Sequence, residues 1–339
     1  MGSAMSVPAA AMGHDIALVG THLDQDIIKS VKQSRFHSRL KVNLSDLVVG
    51  HDADALPDVL DANCELLILG VSSAGVDWAI DRLCDIGGPF PPILLITKGL
   101  RDNGTNIQTF PEVIKDALQA RLGIKADVMG VAGPCIAGEL AVGRDTTVTI
   151  TGENPASIKH TISMLSSPFY HARASTDLPG VEFCAAFKNF YALAVGWAQG
   201  QVEASDDWEN GPKMHNLAAG IFTQSLHELK ILVAYSGGTM DSVFGLAGVG
   251  DLYVTCLAGR NSRMGRLLGL GHSYTHAKET FMAGDTIEGA ELAKSLGPAL
   301  RRLWSEGKIP QEQMPLSSAI VGAICDDQPL NMQWNAFVR

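Results

Sequence analysis

Six short, almost wholly apolar runs punctuate the first 151 residues: 15–20 (DIALVG), 47–50 (LVVG), 65–71 (ELLILGV), 92–97 (PILLIT), 126–131 (ADVMGV) and 146–151 (TTVTIT). Between them the apolar residues fall at helical spacing, as in Leu23, Ile27 and Val31 followed by Phe36 and Leu40, and again over 75–83. A strand that is apolar along its whole length has no face left for water, so it must be covered on both sides. Alternation of such strands with helices predicts a parallel sheet in an open α/β layer, which binds ligands beyond the carboxyl ends of its strands. After about residue 175 the strand runs stop. Helical patterns take over at 181–199, 213–234, 261–270, 287–296 and 316–325, and Pro179-Gly180 marks the junction. Two domains are therefore expected, an α/β domain over 1–178 and an all-α domain over 179–339.

Composition narrows the function. A chain of 339 residues that is 46% apolar and 18% charged can bury a full core, which excludes disorder as its main state. Its formal net charge of −10 argues against a nucleic-acid partner. None of the six cysteines forms a C-x-x-C pair, so reduced thiols are expected, and the ten histidines show no metal-ligand spacing. No signal peptide is read at the start. The opening MGSAMSVPAAAMGHD is small and uncharged until Asp15, compatible with a cloning remnant. Residues 181–199 approach membrane-spanning length, but Lys188 and Asn189 at their centre make a buried helix the better reading.

That lysine is the first chemical signal. In FCAAFKNFYALAV, Lys188 interrupts an apolar run, and a buried ammonium is either paired or functional. Low dielectric and neighbouring cations bring a lysine toward the range useful for proton transfer. The plain alternative is a side chain that snorkels off the helix edge. A second signal follows at 245–251 (GLAGVGD), then Thr255-Cys256 and Gly259-Arg260-Asn261, where a helix begins. Asparagine at a helix start beside an arginine offers backbone donors, the positive helix end and a guanidinium fork to an anion such as phosphate. A capped glycine loop with a solvated arginine is the alternative.

Lys188-Asn189 in an apolar helix, followed by GLAGVGDLYVTCLAGRN at 245–261, resembles the NAD(P)-dependent glycerol-3-phosphate dehydrogenases. TKGL at 97–100, Gly133-Pro134 within AGPCIAGELA, and GHDADAL at 50–56 fit the same family in order. The resemblance implies a Rossmann-like domain followed by an α-helical domain, with substrate in the cleft between them. It implies hydride transfer between NAD or NADP and sn-glycerol 3-phosphate or dihydroxyacetone phosphate. By position it makes Lys188, Asp251 and Asn189 catalytic. Lys98, Gly133, Thr255, Arg260 and Asn261 would contact substrate. The cofactor would lie against Gly20, Thr21, His22, Asp52, Ser72, Lys98, Ala137, Arg260 and Glu288, with no metal. The partners it implies are a small phosphorylated substrate and a second copy in a homodimer, with neither nucleic acid nor a membrane span. A cytoplasmic place in glycerophospholipid metabolism follows from the same resemblance.

One motif departs from the family. Its opening G-x-G-x-x-G corresponds here to Gly20-Thr21-His22-Leu23-Asp24-Gln25, which keeps only the first glycine. Thr21 or His22 donating to phosphate in place of glycine amides is one reading. Others are a dehydrogenase for another polyol phosphate or small hydroxy acid, and a degenerate member that binds a phosphorylated metabolite without redox chemistry. Arg35, Arg39 and Lys41 are the cations considered for a cofactor 2′-phosphate, or else they line a solvated helix face.

Overall fold

The fold is described from a computed structural model covering residues 1–205, 215–257, 259–332 and 334–337. Lys213 and Met214, at the start of the helical pattern expected over 213–234, lie outside the described residues. The chain divides into two units, Met1–Lys98 with Phe110–Leu178, and Gly99–Thr109 with Pro179–Arg339.

The first unit carries the sheet strands β1 (Ile16–Val19), β2 (Val48–His51), β3 (Leu67–Leu69), β4 (Ile93–Leu95), β5 (Val128–Ala132), β6 (Thr146–Thr151) and β7 (Tyr170–Ser175). Its main helices are α1 (Gly2–Ala11), α2 (Gln25–Ser34), α3 (Val76–Ile86), α4 (Phe110–Leu122) and α5 (Pro155–Leu165). β1 and β2 pair in parallel, Ile16 opposite Val48. The other five strands form a second sheet in the order β7-β6-β5-β4-β3. Among the described residues each of β1 and β3 has a strand on one side only, and α1 packs against both. Side chains alternate across β4 as strand geometry requires. Ile93 and Leu95 join Val76, Ile80 and Leu83 of α3 with Ile114 and Leu118 of α4. Leu94 and Ile96 face Ala4 and Met5 of α1 and Ile158 of α5.

Three expectations need correction. The opening residues are no remnant: α1 is a helix with Ala4, Met5, Ser6, Pro8 and Ala9 buried. Its small residues let it lie close on the sheet, and a Cβ on Gly70 would come within 2.8 Å of the Gly2 Cα. Second, the sheet is mixed, because β5 and β6 run antiparallel with Ala132 opposite Thr149. The link between them holds a helix of only five residues, Ala137–Ala141, short for the crossover that a parallel pair needs. Third, α2 stops at Ser34, where Arg35 adopts a left-handed φ of 59°, and Phe36 enters a short strand. β7, hidden in the polar-looking YHARAS, was not foreseen; it pairs in parallel with β6.

The second unit is helical apart from a hairpin, Leu100–Asp102 with Ile107–Thr109, which lies in the chain between β4 and α4. Asp102 receives two hydrogen bonds from the Arg302 guanidinium, at 2.8 and 2.9 Å, and this fork holds its carboxyl below the usual range. The main helices are α6 (Leu178–Ala204), α7 (His215–Tyr235), α8 (Asp251–Leu257), α9 (Arg260–Gly269), α10 (Glu288–Ser305) and α11 (Pro315–Cys325). α6 is the axis of the unit: Val181–Ala194 is buried without a break. Among the described residues, one stretch, Met240–Leu257, is apolar and long enough to cross a membrane; a third of it is buried.

Glycines decide how closely α6 is approached. Gly196 and Gly200 on α6 face Gly265 and Gly269 on α9, with no space for a Cβ at any of the four. An added Cβ at Gly265 would collide with the Leu193 carbonyl, and one at Gly289, at the start of α10, with the Asn189 carbonyl. Backbone meets backbone, a distance only glycine permits. Elsewhere α7 is tied to α11 by Glu228, which is fully buried. Its carboxyl accepts from the amides of Leu316 and Ser317 (both 2.7 Å), the Ser317 hydroxyl (2.6 Å) and Gln224 Nε2 (2.8 Å). Burial outweighs these donors and pushes the carboxyl up to about 7.

Two outcomes follow. Gly265→Ala should cost about 3 kcal/mol in urea unfolding, whereas Gly220→Ala, whose Cβ meets nothing within 4 Å, should be neutral or stabilising. The folded chain keeps the Glu228 proton to about pH 7, while the unfolded chain releases it near 4.5. This group therefore favours folding below the lower value, and its contribution is withdrawn as pH rises through 7. The loss is about 3 kcal/mol. In unfolding measured between pH 4.5 and 8, Glu228→Gln should flatten that slope.

Candidate active site

Lys188 sits midway along α6, where the helix is covered on every side and the side chain is only 9% exposed. Its Nζ donates to Asp251 Oδ1, and Asp251 is 1% exposed. Asp251 opens α8 directly after a π-helical turn, Leu246–Gly250, which corrects the expected glycine loop at 245–251. The turn is helical and packed: a Cβ on Gly248 would strike the Val243 carbonyl. Wide helical turns of this kind aim a side chain that regular spacing would misplace. Thr255, one turn on, donates its hydroxyl to the Asp251 carbonyl at 2.6 Å. The neighbouring Cys256 thiol is pushed up to about 12 by burial, against the opposing pull of the Lys188 ammonium, and stays neutral.

Asn189 turns to a second network. Its Nδ2 donates to Glu288 Oε2 at 2.8 Å, and its Oδ1 accepts from Asn261 Nδ2 at 3.0 Å. Asn261 Oδ1 accepts from the Gly289 amide at 2.9 Å, so one asparagine caps the first turn of α10 from α9. Arg260, half-exposed, lies 3.6 Å from Glu288 Oε1. The glycine contacts at 265 and 289 make these bonds possible, since they bring α9 and α10 onto α6 at the level of Asn189. Lys188, Asn189, Asp251, Thr255, Arg260, Asn261 and Glu288 thus gather in the second unit. Asn261 spends one N–H of its amide on Asn189 and its oxygen on the Gly289 amide, which leaves its second N–H for an anion. Arg260, the first residue of α9, presents its guanidinium to water beside Glu288.

The remaining candidates lie in the first unit. Lys98 and Gly133, beyond the carboxyl ends of β4 and β5, line a cavity of about 30 Å³ with Met1, Met5, Cys135 and Tyr170. Gly20, Thr21, His22 and Asp52 line a separate groove of about 510 Å³ with Gln25, Lys29, Lys32 and Asp54. Ser72 precedes a turn after β3 and Ala137 opens the five-residue helix; neither lines the groove.

Gly20–Gln25 folds as a closed turn. The Gly20 amide donates to the His51 carbonyl, and the Thr21 amide and hydroxyl both donate to Asp24 Oδ2, at 3.1 and 2.6 Å. Leu23 N donates to the Thr21 hydroxyl and Asp24 N to the Thr21 carbonyl. The amides of Gly20, Thr21, Leu23 and Asp24 and the Thr21 hydroxyl are engaged, and a carboxylate closes the turn, which corrects the expectation that Thr21 donates to phosphate. Gly20 is small because Ile28 of α2 packs where its Cβ would be. Arg35 is paired with Asp46, and Arg35, Arg39 and Lys41 are absent from the groove lining. The cations that do line it, Lys29 and Lys32, were missed; Gln25, Lys29 and Lys32 recur at helical spacing on α2, a signal the sequence offered.

An α/β unit with a largely parallel sheet, joined in one chain to a helical unit that buries a lysine against an aspartate, defines a nicotinamide-dependent oxidoreductase acting on CH–OH groups. Residues 1–158 match the N-terminal domain described as NAD-dependent glycerol-3-phosphate dehydrogenase, and residues 177–334 match its C-terminal domain. The chain belongs to that family, which binds NAD or NADP. The NADP(+)-dependent glycerol-3-phosphate dehydrogenase of Archaeoglobus fulgidus is 32% identical over 282 residues, 82% of this chain and 80% of that one. The glycerol-3-phosphate dehydrogenase [NAD(P)+] of Chlamydia pneumoniae is 29% identical, over 80% and 76%. In fold, the chain resembles the glycerol-3-phosphate dehydrogenase of Coxiella burnetii (TM-score 0.77, 23% identity, 98% and 93% covered). It also resembles that of Plasmodium falciparum (0.82, 17%, 99% and 92%).

Removing one partner of the buried pair leaves a bare charge. Asp251→Ala should cost about 3–5 kcal/mol in chemical denaturation, while Lys188→Met with Asp251→Leu should restore most of it.

Proposed function

We propose that this protein interconverts sn-glycerol 3-phosphate and dihydroxyacetone phosphate, with Lys188 moving the proton at the C2 oxygen. The observation that carries the reading is the Lys188–Asp251 pair, sunk in the axial helix of the second unit beside the Asn189–Asn261–Glu288 network. Reduction of a ketone places a proton on oxygen as hydride reaches carbon, and oxidation of the alcohol removes both. An ammonium with a fixed carboxylate partner is held at one position and can give its proton to the developing alkoxide; the neutral amine takes it back. Arg260, exposed at the start of α9, supports a phosphate role: it can fork onto the ester oxygens and hold the reacting carbon in place.

The first unit fits a dinucleotide. Gly2 at the start of α1 and Gly70 after β3 meet without side chains between them, at a helix N-terminus and beyond the carboxyl end of a parallel strand. That is where backbone amides and the helix dipole accept a pyrophosphate, in place of the closed turn after Gly20. The groove of Gly20, His22 and Asp52 suits the adenosine end, and Lys98 with Gly133 the nicotinamide end. The bound nicotinamide supplies or accepts the hydride. The six cysteines, present as thiols, support a reducing, cytoplasmic setting. The family resemblance supports a homodimer and a role in supplying glycerophospholipid synthesis.

With NAD(P)H and dihydroxyacetone phosphate, the wild type should turn over. The Lys188→Met, Asp251→Leu double variant, whose fold is checked by circular dichroism, should not; retained turnover would refute the role of Lys188. Arg260→Ala should raise KM for dihydroxyacetone phosphate by about tenfold or more while sparing unphosphorylated dihydroxyacetone.

A further inference from the structure

On the reading above, in which Lys188 serves the C2 oxygen and Arg260 the phosphate, we infer that Ser262 is a positioning residue. It sets the spacing between the Lys188–Asp251 pair and Arg260, and so matters to a substrate that must reach both.

α8 carries Asp251 at its start and ends at Leu257, and α9 begins at Arg260. A helix leaves its last carbonyls without partners of its own, and the chain has left helical geometry at Gly259, with φ 125° and ψ 179°. Two carbonyls in the last turn of α8, those of Thr255 and Cys256, are met from the other helix. The half-buried Ser262 hydroxyl donates to both, at 2.9 and 3.2 Å, as a bifurcated bond.

The same residue is fixed on its other side. A Cβ on Gly196 would collide with the Ser262 carbonyl, so the Ser262 backbone rests directly on α6, about two turns beyond Lys188. Ser262 thus meets α6 through its backbone and the end of α8 through its side chain, two residues after Arg260. The glycines at 196, 200, 265 and 269 let α9 come close to α6, but they offer no side chain to key one helix against the other. A hydrogen bond of defined length and direction supplies that key, and it acts on the helix that carries Asp251. When a substrate is held at one end, the contact at its other end is intramolecular, and its strength depends on the span between the two sites. A shift of α9 along α8 leaves each contact possible singly and weakens the two together.

Three ligands separate these cases on the full-length protein, with NAD(P)H as reductant. Dihydroxyacetone phosphate engages both groups, unphosphorylated dihydroxyacetone engages the Lys188 end, and inorganic phosphate, as a competitive inhibitor, engages Arg260. Ser262→Ala should lower kcat/KM for dihydroxyacetone phosphate about tenfold, while kcat/KM for dihydroxyacetone and the inhibition constant of phosphate stay within about twofold. Ser262→Cys, which keeps the shape and a weak donor, should show the same pattern in smaller measure. Equal losses on all three ligands mark a general loosening of the unit and overturn the inference; so does a Ser262→Ala variant that changes none of them. In either case, Arg260→Ala that weakens phosphate and dihydroxyacetone phosphate together leaves the dehydrogenase reading standing. Arg260→Ala that moves neither overturns the phosphate role of Arg260, and the role of Ser262 falls with it.

Discussion

A lysine and an aspartate taken out of water together set the terms for the helical unit. Each ion loses several kcal/mol of hydration on burial, and the attraction between them offsets that loss only when contact is direct and the surroundings keep it so. Lys188 and Asp251 meet this condition, with side chains 9% and 1% exposed. The cost explains features that would otherwise look unrelated. The π turn before Asp251 delivers the carboxylate to a helix that is already closed around Lys188. The neutral Cys256 thiol next to it adds no competing charge. Stability alone would be served as well by two apolar side chains, so the pair is better understood through what the ammonium does.

Polar order around the pair depends on apolar closeness. Asn189 reaches Glu288 across 99 positions of sequence and Asn261 across 72. Those bonds exist because glycines at 196, 200, 265, 269 and 289 remove the side chains that would hold three helices apart. Arg260 and Glu288 stand at two helix starts and reach toward each other at the solvent edge of the same network. Charge is thus graded along one line, from a fully buried pair to a solvated one. A buried ion pair and a solvated one sit in one unit without sharing a dielectric.

Much of this was legible beforehand. All six apolar runs became strands, but only β4 and β5 are buried throughout; β1 and β2 expose Ala17 and Val49 and β3 is half-buried, so apolar composition did not require cover on both faces. What failed did so for identifiable reasons. Gly20 looked like the first residue of a phosphate loop, yet glycine there serves the packing of Ile28, and hydrogen bonds to Asp24 are invisible in a motif. GLAGVGD looked like a loop because glycine usually breaks helices, whereas here it admits a neighbouring backbone. α1 passed for a tail because alanine, serine and methionine carry no strong pattern; only contact with the sheet reveals it. Arg260, Glu288 and Asn189 were each nameable, but their hydrogen-bonded order is a property of tertiary packing. The cations beside Asp52 were mistaken because Arg35, Arg39 and Lys41 lie beyond the end of α2 and off its groove face.

Among the described residues the two sheets of the first unit leave β1 and β3 each without a strand partner on one flank, beside α1. Such flanks carry rows of amide donors and carbonyl acceptors that water satisfies only loosely, and β1 and β3 are apolar enough to prefer a dry neighbour. Any extended polypeptide that reached α1 would find hydrogen-bonding templates waiting there.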